Sequence, residues 1–135
     1  MWSLGCVLVE MYTGDPIFPG IDEFETMGYI VERCGMPPLH VLRWSQNTRL
    51  FFEPVVVGDT PVWKVRPELT PIKAPVAQAS AFKGAISRVA GRRRRGASDM
   101  YENFMSLVHN MLQVDPDLRC TPEEALAHPF LRDSV

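Results

Sequence analysis

The densest apolar stretch opens the chain. Met1–Tyr12 (MWSLGCVLVEMY) is apolar at almost every position, with Ser3 and Glu10 as its polar exceptions, and it contains no proline. A helix apolar on nearly every face must be buried on nearly every face. At about 1.5 Å per residue it spans roughly 18 Å, well short of the ~30 Å hydrocarbon core of a bilayer. The pattern therefore predicts the central helix of a folded domain and not a membrane span. No capping residue stands ahead of it, and nothing upstream in the sequence covers its outer face, which points to a piece of something larger.

The polar run Thr13-Gly14-Asp15-Pro16 stops this helix, and Pro19-Gly20 adds a second turn. Ile17 and Phe18 between them are expected to anchor the loop in the core. Asp22 reads as an N-cap with Glu25 as its capping-box partner. Behind it Phe24, Met27, Val31 and Cys34 recur at helical spacing as far as Gly35. After Met36-Pro37-Pro38, short helical turns are expected over Leu39–Trp44 and Thr48–Phe52. Val55–Val57, Gly58-Asp59 and Val62–Val65 then predict a hairpin, with Pro61 confining its strand to an edge.

Residues 66–98 carry several prolines and many small side chains, and they predict a poorly ordered insert. Asp99 and Glu102 again have capping-box spacing. Tyr101, Phe104, Met105, Val108, Met111 and Leu112 follow as a helical stripe. Asp115-Pro116 ends that element. Thr121-Pro122-Glu123-Glu124 is a strong start signal, combining a cap, proline in the first turn and a reciprocal glutamate. The last helix should carry Ala125 and Leu126 with Phe130 as its anchor, and close at Pro129. The predicted fold class is mainly α, with one small hairpin and a long irregular insert.

Composition changes this picture little. The chain has 135 residues, 46% hydrophobic and 22% charged, with a formal net charge of −2. One domain with a real core fits that length. The balance gives no overall pull towards nucleic acid or an anionic membrane. The three cysteines, Cys6, Cys34 and Cys120, are scattered and predict reduced, buried thiols, not a disulfide framework or zinc site. No targeting signal is visible, so the expected setting is intracellular, cytoplasmic or nuclear.

Candidate chemistry is sparse. The sequence has no G-x-S-x-G elbow, H-E-x-x-H pair, P-loop or G-x-G-x-x-G run. His109 beside its apolar stripe is better read as structural than as a general base. His128, before Pro129, is expected to act as a cation on a helix end. Arg92–Arg95 could form a nuclear-localisation or nucleic-acid patch, yet no aromatic neighbour is there to stack a base, and a solvated loop is the preferred reading. Glu10, on an apolar helix, needs a partner or a watery edge. Arg119, after a tight Asp-Pro turn, is expected to find a carboxylate.

Together the pieces resemble the C-terminal lobe of a eukaryotic protein kinase. MWSLGCVLVEMYTGDPIFPG, with Trp2, Ser3 and Gly5, resembles the D-x-W-S-x-G segment opening that lobe's central helix, without the Asp. Asp115-Pro116-Asp117-Leu118-Arg119 and Thr121–Phe130 (TPEEALAHPF) resemble its D-P-x-x-R and A-L-x-H-P-F close, with His128, Pro129 and Phe130 in the latter. Glu25–Pro38, Phe51-Phe52-Glu53, the hairpin and Asp99-Met100-Tyr101 narrow the likeness to the dual-specificity tyrosine-regulated kinases. Those belong to the group that also holds the cyclin-dependent, mitogen-activated and clock-like kinases.

The resemblance implies a partial kinase domain over residues 1–135. It also implies transfer of the ATP γ-phosphoryl to protein hydroxyls by parts absent from this sequence: the Gly-rich loop, the β3 lysine, H-R-D and D-F-G. By the same likeness no catalytic, cofactor or metal residue belongs to this chain, and ATP and Mg belong to a full-length parent. Its partners are the parent's protein substrates and the missing N-terminal lobe and catalytic segment, with nucleic acid unexpected. Glu10 matches a position that faces a substrate arginine in several kinases. The glutamate that the family pairs with its equivalent of Arg119 lies upstream, so Arg119 is expected to be an orphan. A short, non-catalytic helical interaction module is the alternative function, and a basic-loop nucleic-acid binder a distant third.

Overall fold

The computed structural model describes residues 1–66 and 98–132. The expected insert over 66–98, apart from its two end residues, and the Arg92–Arg95 run lie outside them. Helix α1 (Trp2–Thr13) runs into Gly14, whose φ of 84° is open to glycine and whose N–H bonds to Glu10 O. Helix α2 (Glu23–Cys34) starts as its sequence dictates: Asp22 Oδ1 accepts the Glu25 N–H at 2.7 Å. The Glu25 carboxylate reaches back one residue further than a strict capping box, to the Ile21 N–H. Two short helices, α3 (Leu39–Trp44) and α4 (Thr48–Phe51), follow.

Strands β1 (Phe52–Val57) and β2 (Thr60–Val65) form an antiparallel hairpin in which Val57 pairs with Thr60 across Gly58-Asp59. Gly58 has φ 63°, as a tight two-residue turn requires. With two strands both are edges, which is why Pro61 is tolerated opposite Val56. Phe52, expected to end a helical turn, instead opens β1 and is buried. Helix α5 (Ser98–Met111) holds Asp99 inside its first turn, not at its cap.

Helix α6 (Pro122–Leu126) begins on a complete capping box: Glu124 N–H to Thr121 Oγ1 and Thr121 N–H to a Glu124 carboxylate oxygen. It is shorter than the sequence suggests. Pro129 does not close it but opens a separate turn, α7 (Pro129–Arg132), because a fixed φ and a missing N–H suit the first helical position. Leu126 consequently faces solvent.

The core is built on α5. Val108 at its centre is fully buried, and Phe104, Met105 and Leu112 close with Val9 of α1 and Ile17 of the following loop. On its other side Leu107 and Met111 meet Ala125 of α6, and half-buried Leu8 and Phe130 touch both clusters. Gly5 lets the two helices approach closely, since a Cβ there would stand 3.0 Å from Met111 Cβ and from Leu112 Cδ2. The expectation that α1 is buried all round is corrected. Only Gly5 and Val9 are buried, while Leu4, Val7 and Met11 are 49%, 49% and 79% exposed. No described element covers that side.

Candidate functional site

The first turn of α1 and the turn after α5 converge on one place. Trp2 stacks on Phe18, rings 5.6 Å apart and within 9° of parallel. Above the Trp2 ring, 5.2 Å from its centroid, lies the Arg119 guanidinium. The Asp-Pro turn delivers Arg119 there. Asp115 Oδ1 accepts the Asp117 N–H at 3.0 Å, and Asp115 O accepts the Leu118 N–H. That reverses the chain back towards the end of α5.

Arg119 Nε then donates to Gln113 O at 2.9 Å and Nη2 to Val114 O at 3.3 Å, carbonyls of the segment that follows the helix. The predicted carboxylate partner is absent among the described residues. Arg119 is not an orphan either: two carbonyls and an indole face hold its charge. Beside it lies a cleft of about 370 Å³, lined in part by Met27, Ile30, Leu42 and Phe52.

The other sequence candidates fall elsewhere. Ser3 is exposed, and Gly5 serves the α1–α5 approach. Glu10 is exposed, so water meets its charge, and the helix rise sets it roughly 12 Å along the axis from Trp2. His128 caps the short helix that follows it. Its Nδ1 accepts the Phe130 N–H at 3.2 Å, which caps α7, and its Nε2 stands 3.2 Å from Ser106 Oγ. Pro129 opens α7, and Phe130 packs on Phe104 with ring centroids 5.3 Å apart. His109 is exposed, with Nε2 3.0 Å from Gln113 Nε2.

One pair was missed by sequence reasoning. His40 Nε2 of α3 meets Asp115 Oδ2 at 3.2 Å. Nothing in the sequence spacing signals a contact across so long a separation.

The thiols are half-buried, not fully buried, and unpaired with one another. Burial, then the charge of Cys6, pushes the Cys34 thiol up to about 12, with Arg33 opposing weakly. Burial also raises Cys6, and burial with the Glu124 charge raises Cys120. Thiols held protonated are poor nucleophiles. The positive-φ glycines Gly14 and Gly35 close helices and Gly58 turns the hairpin, and the α2 N-terminus carries Asp22, Glu23 and Glu25, which repel phosphate.

A family model described as protein kinase domain matches residues 1–131. The chain is 33% identical to homeodomain-interacting protein kinase 2 of Mesocricetus auratus, over 97% of its length and 12% of the relative's. It is 33% identical to dual specificity tyrosine-phosphorylation-regulated kinase 2 of Drosophila melanogaster, over 100% of its length and 16% of the relative's. A putative dual specificity tyrosine-phosphorylation-regulated kinase 3 homolog of the same fly matches at 31%, over 98% of the chain. The chain thus spans between 12% and 16% of the length of these curated relatives. With its Trp2–Arg119 stack formed from two of the motifs that suggested the likeness, the chain belongs to the protein kinase family.

Proposed function

We propose that this chain is the C-terminal-lobe portion of a protein kinase domain, a scaffold and substrate-docking surface for phosphoryl transfer catalysed by residues outside this sequence. The observation that carries the reading is the bare stripe of Leu4, Val7 and Met11 on α1. A stripe at that spacing, opposite an already packed face, is the seat of another layer of protein. In this reading ATP and Mg bind the parent kinase, and the parent acts on protein hydroxyls inside the cell. Glu10, exposed on the edge of the same helix, is available to a substrate arginine.

Calorimetry with ATP and Mg²⁺ tests the division of labour. The chain alone is expected to bind no nucleotide, and a longer kinase domain containing it and the H-R-D and D-F-G segments to bind ATP and phosphorylate peptides. Stoichiometric nucleotide binding by the chain alone overturns the reading. In the longer domain, E10Q is expected to raise KM for an arginine-containing peptide while leaving kcat unchanged.

A further inference from the structure

We propose that His40, Asp115 and Asp117 form a divalent transition-metal site, suited to Zn²⁺, that clamps the first turn of α3 to the turn carrying Arg119. One ligand atom from each of the three lies within 4.8 Å of the other two. They come from two elements far apart in sequence, so a bound ion would bridge α3 and the turn carrying Arg119.

One edge of the cluster, His40 to Asp115, has the length that a tetrahedral ion needs. Bonds of about 2.0 Å give ligand-to-ligand edges of roughly 3.3 Å. His40 Nε2 and Asp115 Oδ2 stand 3.2 Å apart, so an ion can sit between them with little movement of either side chain. Asp115 is 8% exposed, and the Asp117 N–H fixes its other oxygen, an outer contact of the kind that holds a ligating carboxylate in orientation. His40 and Asp117 are exposed, which leaves room for water at the fourth position.

Charge points the same way. The cluster sets two carboxylates beside one imidazole, and the Asp117 carboxylate has no partner among the described residues. A dication removes that excess of negative charge, which a half-exposed histidine does only when protonated. A nitrogen ligand alongside two carboxylates selects Zn²⁺ over Mg²⁺ or Ca²⁺, which favour oxygen alone. The competing explanation is a plain His40–Asp115 ion pair with Asp117 merely solvated.

Titrating the full chain with zinc chloride by calorimetry separates the two, with cobalt absorption as a report on coordination. One Zn²⁺ per chain is expected, with a raised thermal midpoint and the visible bands of four-coordinate Co²⁺. H40Q and D117N, both at exposed positions, should each keep the helical circular dichroism and lose more than about tenfold in zinc affinity. Absence of zinc binding overturns the proposal. So does binding that both variants retain, since His109, His128 or the cysteines would then be the ligands, and so does equal affinity for Mg²⁺.

Discussion

The two faces of α1 carry similar side chains and meet opposite fates. One face sets Gly5 and Val9 against α5, with backbones close enough that no Cβ fits at Gly5 without displacement. The other presents Leu4, Val7 and Met11 to solvent. Composition cannot tell them apart, because both are apolar. What separates them is whether a complementary surface exists, and α5 supplies one for a single face only. Stability of the chain is thus concentrated on the Gly5–Val9 side, and the apolar side chains of the other face contribute little to it.

The sharpest test of that contrast is Met111→Ala. Met111 is fully buried between Gly5 and Ala125, where its removal leaves a cavity that two helices cannot both close. A loss of about 2–5 kcal/mol is expected in urea unfolding, read from the midpoint at constant slope. A loss below that range would mean that the α1–α5 seam tolerates slack and that the two faces differ less than their burial suggests.

Sequence reasoning reached the packed face more easily than the open one. The stripe from Phe104 to Leu112 and the Thr121 capping box are local signals, in which spacing alone fixes the outcome, and both are present. Burial of α1 was overestimated because hydrophobicity reports a need for a partner and not its presence. Pro129 was misread for a related reason: proline ends one helix or begins the next with equal ease, and the Phe130 N–H to His128 contact that decides it is tertiary detail. The Trp2–Arg119 stack came as two separate motifs, with the carbonyl partners of Arg119 invisible until the turn was folded. The His40–Asp115 pair had no sequence signal at all.

Between the two faces, where α1 meets α2, sits a smaller effect with a defined pH direction. The Cys34 thiol is raised from 9.0 to about 12 by burial and by Cys6. Below pH 9 the thiol is protonated folded or unfolded, and the fold has the full benefit. Above it the unfolded chain releases the proton first, so stability falls as pH rises towards 12. Cys34→Ser or Cys34→Ala is expected to flatten that decline. At pH 8, alkylation of Cys34 by iodoacetamide should be much slower than in the urea-unfolded chain. Equal rates in the two states would show that the α1–α2 contact opens freely.

The smallest change in folding energy is expected on the open face, and it carries the most information. Replacing Leu4, Val7 and Met11 together by glutamine removes apolar surface that the fold does not bury, so each position should shift stability by no more than about 0.5 kcal/mol. Hydrophobic-dye binding and self-association should fall at the same time, because the patch that drives both is gone. In a longer kinase domain the same triple substitution should have the opposite weight and destabilise by several kcal/mol, since there the stripe is expected to lie under another layer. A parent domain indifferent to the change would leave the stripe without an occupant, and its preservation as an apolar surface would then have to be explained by a partner chain.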